Sequence, residues 1–374
     1  MSSARRLRIG VDGRELQGRS TGTGRVLRSI LRHWSSRKDA EFLVYLRGPA
    51  PHGVDSSGLT IRALPSASRG PGLLFTERVL AKAASADAVD VFFAPAYECP
   101  LTLDRPRVTI VHDLSFFSVP EDFAFSEALR RRVMVSLSVR RSHTILACSR
   151  FTEREIAARF PDARSRITRV SWGADGDLPS ASDGAGARRR LGVTGSFLLT
   201  VGSIFGRRRL PELLRAVALL AREEPDVVLD VVGENRTHPH LDLPRLVREM
   251  GLGAHVRLSG FVNEAGLTDR YAAADAAVFL SEYEGFGLPP LEAAARGIPL
   301  VTSDRPSLSE IFGGAALLVS PRDPQQIADA LLTVLRDRTL RGNLVQRGRE
   351  LAQGLSWSTT ADEIFAALSR AAQS

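Results

Sequence analysis

The chain has 374 residues, 44% hydrophobic and 25% charged, a length that suits two domains and a composition that excludes a disordered or fibrous protein. Its formal net charge is +8, and because Lys38 and Lys82 are the only lysines this excess is carried by arginine. Such a balance reflects either arginine-biased composition or an attraction to anions such as phosphate, nucleic acid or anionic lipid.

In chain order, the opening MSSARRLRIGVDG lacks the apolar core of a secretory leader. The longest apolar runs, such as LLRAVALLA, are too short to span a bilayer. Cys99 and Cys148 each adjoin an apolar run and read as buried thiols, so a cytoplasmic location is expected. Short β-branched runs predict strands at 7–13, 41–47, 59–65, 89–95, 107–113, 143–149 and 167–173. Their near-continuous apolar content is that of strands covered on both faces. A polar Gly/Ser/Ala/Arg stretch spans 172–196, and the pattern restarts at 197–203, 227–234, 256–262, 276–282, 298–304 and 315–321. Strands alternating with helices, twice over, predict two doubly wound Rossmann-like domains, 1–172 and 173–355, facing across a cleft. The tail 356–374 has Ser356 or Ser358 as a helix cap, then Ile364, Phe365 and Leu368 at helical spacing.

Several stretches carry candidate chemistry. GRSTGTGR places Gly18, Gly22 and Gly24 after the first strand, off the dinucleotide G-x-G-x-x-G spacing; it reads as a loop that turns N–H groups to a phosphate or as a plain surface loop. VHDLSF sets His112 at the carboxyl end of the fifth strand, with Asp113 beside it. SEALRRRVMVSLSVRRSH reads as a helix with Leu129, Val133 and Leu137 on one face and Arg130, Arg131, Arg132, Arg140 and Arg141 elsewhere. That is either a solvated basic face or a contact with anionic lipid or a phosphate-bearing acceptor. Asp175-Gly176-Asp177 has the look of a short metal-binding acid pair but falls in the stretch between the halves. VGSIFGRRRL puts Arg207 and Arg208 at a strand end, where planar guanidinium groups suit phosphate oxygens; Arg209 is expected to turn to solvent.

The most informative stretch is SEYEGFGLPPLEAAARGIPLV, residues 281–301. Gly285 and Gly287 permit backbone conformations closed to other residues. Pro289 and Pro290 are tolerated in a first helical turn, so a helix is expected from near Pro289 to Arg296, stopped by Gly297. Loop N–H groups and a helix N-terminus form an anion site. Glu284 and Glu292 beside it suit a ligand bearing phosphate and many hydroxyls, a nucleotide sugar; the alternative is a strand–helix turn with solvated glutamates.

This stretch resembles the signature of the family 4 retaining glycosyltransferases of GT-B architecture: two glutamates with seven residues between them, around Gly-Phe-Gly, here Glu284, Gly285-Phe286-Gly287 and Glu292. The resemblance extends through DRYAAADAAVFLSE, RIGVDGRELQGRSTGTGRVLRSIL, RVTIVHDLSFFSVPEDF and ILACSRFTEREI, and is nearest the mannosyltransferase-like branch. It implies transfer of a hexose from a nucleotide diphosphate sugar to a glycan or lipid-linked acceptor. It also implies a metal-free site without cofactor and a last helix that crosses back to the first domain. Donor contacts are implied at Gly22, Gly24, Arg207, Arg208, Val262, Glu284, Gly285, Phe286, Gly287, Leu288 and Glu292, with His112, Glu284 and Arg208 catalytic. Arg208 departs from the family's usual lysine. A nucleotide-sugar epimerase of the same architecture and an arginine-rich nucleic-acid binder are the alternatives; against the latter, the chain has no recognised nucleic-acid motif. No nucleic-acid partner is expected, and peripheral contact with an anionic inner membrane face is left open.

Overall fold

A computed structural model describes residues 5–18, 22–49, 57–65, 75–174 and 183–374. In chain order the elements are β1 (Leu7–Asp12), α1 (Gly22–Trp34), β2 (Ala40–Arg47), β3 (Thr60–Leu64), α2 (Ala81–Ala86), β4 (Val91–Ala94), β5 (Arg107–Val111), α3 (Ser115–Ser118), α4 (Phe125–Arg141), β6 (Thr144–Ala147), α5 (Arg150–Arg159) and β7 (Ile167–Arg169). There follow α6 (Gly184–Leu191), β8 (Phe197–Val201), α7 (Leu210–Leu220), β9 (Val228–Val232), α8 (Leu243–Glu249), β10 (Val256–Gly260), α9 (Glu264–Ala273), β11 (Ala276–Phe279), α10 (Leu288–Ala295), β12 (Leu300–Ser303), α11 (Pro306–Phe312), β13 (Ala316–Val319), α12 (Pro324–Arg336), α13 (Arg338–Gln353) and α14 (Trp357–Ala371). A strand forms in every one of the thirteen runs that the apolar pattern marks, β2 beginning one residue before its run.

The strands make two sheets, ordered β3-β2-β1-β4-β5-β6-β7 and β10-β9-β8-β11-β12-β13. Pairing is parallel throughout, for example Val108 with Thr144 and Val301 with Leu317. Parallel strands need helical crossovers, and helices on both faces bury the strands fully. Accordingly, every residue of β5 and of β11 is buried. In each sheet the order reverses once, between β1 and β4 and between β8 and β11. At such a reversal the loops beyond the carboxyl ends part and leave a crevice.

The chain divides into two bodies: Met1–Leu114 with Leu129–Gly173 and Ser356–Ser374, and Ser115–Ala128 with Ala174–Leu355. The boundaries read from sequence put 115–128 in the first domain, whereas here that segment groups with the second body. In the second body, Leu214 and Val217 of α7 and Ile327 and Leu331 of α12 share a core with Leu229 and Val301 of the sheet.

The last helix, α14, packs in the first body. Ser356 caps it by accepting the N–H of Thr359 at 3.0 Å. Buried Trp34 of α1 donates its indole N–H to the Ala361 carbonyl at 3.0 Å, and the Arg37 guanidinium lies 3.7 Å over the Phe365 ring. Two element starts differ from the sequence reading. Helix α1 begins at Gly22, so Gly22 and Gly24 lie in its first turn and not in a loop before it. Helix α10 begins at Leu288, one residue before the expected Pro289, because left-handed Gly287 (φ 99°) already serves as its cap. Asp175 and Asp177 lie outside the described residues.

Ile364 of α14 is fully buried. Ile364→Ala should therefore cost about 2–5 kcal/mol of stability, read from urea unfolding; a loss well below that range would show that α14 is not part of the first core.

Candidate functional site

Beyond the carboxyl end of β8, the chain forms a short 3-10 turn, Gly206–Arg208, and Arg209 then takes a left-handed conformation (φ 49°) as it enters α7. This tight turn sends three consecutive arginines in different directions. Arg207 is buried: its main-chain N–H and Nη1 both reach the Asp122 carboxylate, Nη1 at 2.9 Å, and its guanidinium lies 4.2 Å over the Phe205 ring. Gly206 is required here, since a Cβ would come within 2.6 Å of Asp122 Oδ1. Arg208 meets Glu284, Nη2 to Oε2 at 2.8 Å, and lies 4.1 Å over the Phe279 ring. Arg209 bonds Glu282 through Nε at 3.0 Å and approaches Glu212 at 3.5 Å. The expectation that Arg209 turns to solvent is therefore corrected: the left-handed backbone directs it back to a carboxylate.

The facing loop leaves β11, the strand beside β8 in the reversed order. Glu282, mostly buried, accepts hydrogen bonds from Arg209, Arg305 and Arg322. One carboxylate thus ties together the loops after β8, β11, β12 and β13. Burial alone would raise the Glu282 pKa, but bonds from Arg322 and Arg305, with the charges of Arg305 and Arg209, outweigh it and hold the carboxyl below its ordinary value.

After Glu284 come Gly285, Phe286 and Gly287, all buried. A Cβ on left-handed Gly287 would stand 3.0 Å from Leu308 Cδ2 and from Pro290 Cγ, so both backbone and space call for glycine. Helix α10 then opens Leu288-Pro289-Pro290. The prolines remove two of the N–H groups that a helix start leaves unsatisfied, so the N–H groups at this end come from the loop and Leu288. On the same helix Glu292 is buried, and its Oε2 accepts the Tyr271 hydroxyl of α9 at 2.9 Å. Arg296 lies 4.9 Å over the Tyr271 ring. Val262 is two residues beyond the end of β10 and partly buried.

In the first body His112 lies just beyond β5. Its Nε2 is 2.8 Å from the Pro95 carbonyl, and its ring lies 5.4 Å from Tyr97 and 5.6 Å from Trp172. Burial pushes its pKa below the usual imidazole value, opposed by the Pro95 bond and by Asp113 and Glu15. A carbonyl can only accept, so Nε2 carries the proton, and in the neutral ring Nδ1 is an acceptor. Tyr97, with φ 60°, is one of three non-glycine residues at positive φ among those described, and it follows β4 at the first sheet's order reversal. The Cys148 thiol donates to the His112 carbonyl at 3.0 Å; Cys99 and Cys148 are both buried free thiols.

The second body thus brings together Arg207, Arg208, Glu284 and the Gly285–Leu288 loop, with Glu292 four residues into the helix. His112, Gly22 and Gly24 belong to the first body. Sequence reading missed Asp122, Tyr271, Glu282, Arg305, Arg322 and Tyr97; no motif in the chain links them to their partners. Among the described residues no group of three or more His, Cys, Asp or Glu is placed to hold a metal ion, and no helix is long and apolar enough to cross a membrane.

Two family models match the chain, Glycosyltransferase Family 4 over residues 20–178 and Glycosyl transferases group 1 over 188–351. The chain is similar to the O-antigen chain mannosyltransferase B of Escherichia coli, 30% identical over 271 residues that cover 71% of each chain. It is also similar to the D-inositol 3-phosphate glycosyltransferase of Kineococcus radiotolerans, 31% identical over 73% of this chain and 68% of that one. Among solved structures, Anabaena HepE in complex with UDP-glucose superposes with a TM-score of 0.78 at 21% identity, over 97% of this chain and 100% of the other.

The Glu282 hub makes stability depend on pH. A depressed folded-state pKa contributes stability that is present above the unfolded value and lost as pH falls through the folded value. The stability gap between wild type and Glu282→Gln should be full at neutral pH and shrink once pH drops below the ordinary carboxyl value of 4.5. Urea midpoints measured across that range test this, and a gap independent of pH would contradict it.

Proposed function

The chain belongs to glycosyltransferase family 4 and has its GT-B fold, and from that premise we propose that it moves a hexose, mannose by preference, from a nucleotide diphosphate sugar to an acceptor hydroxyl with retention of configuration. The product is assigned to glycan, polysaccharide or glycolipid synthesis. The observation that carries the reading is the Arg208–Glu284 pair beside the Gly285–Leu288 loop, at the order reversal of the second sheet. The mannosyltransferase named among the relatives supports the sugar, and the UDP-glucose bound to HepE supports the class of donor.

In this reading the loop N–H groups and Arg208 receive the diphosphate, Glu284 grips the sugar, and Glu292, oriented by Tyr271, takes the ribose hydroxyls. Arg207, engaged with Asp122, shapes the loop from which Arg208 projects and adds its charge. Val262 borders the base. In the first body, assigned to the acceptor, Gly22 and Gly24 lend first-turn N–H groups, and His112 offers Nδ1 to a sugar hydroxyl. As the C1–O bond breaks, its electron pair goes to the diphosphate. The acceptor oxygen bonds C1 on the same face, and its proton passes to a phosphate oxygen. Charge stabilisation and positioning provide the rate, with no protein nucleophile. Because guanidinium and main-chain groups take the leaving charge, turnover needs no metal or cofactor, and excess EDTA should leave it unchanged.

Steady-state kinetics tests the central assignment. Arg208→Ala should lower both kcat and donor affinity, by roughly 10- to 150-fold in kcat/KM, the scale of one charge-assisted contact. Arg208→Lys keeps the charge and should retain much of the activity, and Arg215→Ala, on the exposed side of α7, is the control. An Arg208→Ala enzyme with wild-type kinetics would overturn the assignment.

The two glutamates should separate. Glu284→Gln mainly lowers kcat, whereas Glu292→Gln and Tyr271→Phe mainly weaken binding of donor and of free nucleotide, measured by calorimetry. Equal effects of Glu284→Gln and Glu292→Gln on nucleotide affinity would refute the division.

A further inference from the structure

The large apolar side chains exposed among the described residues are six, and four lie on α4: Phe125 at 81%, Leu129 at 50%, Val133 at 49% and Leu137 at 38%. They recur every fourth residue, which places them along one side of the helix. The opposite side, carrying Ala128, Met134, Val135, Ser138 and Val139, is buried. Both faces of the helix are therefore apolar, but only one is buried, and the row from Phe125 to Leu137 is left outside. At 3.6 residues per turn, Arg140 falls on the line of the exposed stripe, Arg130 and Arg141 fall on one flank and Arg132 on the other. The helix holds five arginines against the single carboxylate of Glu127; Arg131 falls on the buried side, and Arg130 bonds Glu98 at 2.9 Å.

We propose that α4 is a membrane-docking helix that lies in the interface of an anionic bilayer, with Phe125, Leu129, Val133 and Leu137 in the acyl boundary and the flanking arginines on lipid phosphates. A row of apolar side chains bordered by guanidinium groups matches the depth profile of that interface, apolar inside and anionic at the headgroups. A second copy of the chain does not suit the same face, because pairing two such helices would set arginines against arginines. Long arginine side chains can cover the apolar row with their methylene stems while the heads stay at phosphate level. The stripe is one residue wide, so neither apolar insertion nor charge is sufficient alone, and docking is reversible and sensitive to salt.

Flotation of the full chain tests this with vesicles of phosphatidylcholine alone and of phosphatidylcholine mixed with phosphatidylglycerol. Binding should require the anionic lipid and fall as salt rises. Leu129→Ser combined with Val133→Ser should reduce it strongly, and since both side chains are already exposed this variant should stay folded, as circular dichroism can verify. Arg140→Gln with Arg141→Gln should weaken it by about fivefold for each charge removed. Phe125→Trp provides an optical reading: its emission should shift to the blue only with anionic vesicles. Absence of binding at low salt, or binding indifferent to Leu129→Ser/Val133→Ser, would overturn the proposal. So would a dimer in solution that this double variant abolishes.

Discussion

A guanidinium group withdrawn from water needs acceptors to meet it, carbonyls for Arg107 but carboxylates for the arginines after β8, and this requirement organises the loop end of the second sheet. Three successive arginines leave one turn after β8, and each finds a different acid: Arg207 with Asp122, Arg208 with Glu284, Arg209 with Glu282. Removing one member of a buried pair strands the other, at a cost of about 3–5 kcal/mol. The turn therefore cannot rotate without breaking several pairs together, and the position of Arg208 follows from those of its two neighbours. Gly206 and left-handed Arg209 are the backbone terms of the same constraint.

Glu282 extends it sideways. Through Arg209, Arg305 and Arg322 it links the loops that follow β8, β12 and β13 to its own loop after β11. Loops at the carboxyl ends of a parallel sheet are ordinarily its more mobile parts. Here a single acid anchors four of them, two residues before Glu284. Geometry fixed before a ligand arrives lowers the ordering cost of binding.

The strands were legible because a strand covered on both faces must be apolar along its length, and AAVF and RVTIV are. The loop around Glu284 was legible because Gly287 and the two prolines admit few backbone paths. Gly22 and Gly24 were misplaced because glycine lowers helix propensity and the first turn of α1 tolerates it nonetheless. The carboxylate partners were not legible: Asp122 is 85 residues from Arg207 and Glu282 is 73 from Arg209, and no local pattern encodes such a pairing. The outward stripe of α4 was hidden for another reason. Periodicity shows that a helix has two faces, and where both carry apolar residues, as here, it does not say which one is buried. Ala128, Met134, Val135 and Val139 take the buried face and Phe125, Leu129, Val133 and Leu137 the exposed one.

The pairing also bears on how an anion would be attracted. Arg207 and Arg208 are each matched by one acid, and Glu282, Glu212 and Asp304 stand against Arg209, Arg305 and Arg322. Counted in this way the turn and its surroundings carry no surplus of side-chain charge, so these arginines add little long-range pull and act chiefly at contact distance. The fixed attraction for a phosphate then falls to groups that no carboxylate cancels, the main-chain N–H groups of the Gly285–Leu288 loop and the positive end of α10. Arg208 has a different part. Lying over the Phe279 ring with Nη2 on Glu284, its guanidinium plane is oriented in advance. A lysine would bring the same charge without a plane to stack or a fork to share. An oriented guanidinium gains most from charge that appears beside it, so in the proposed reaction Arg208 acts more on the departing diphosphate than on the bound donor.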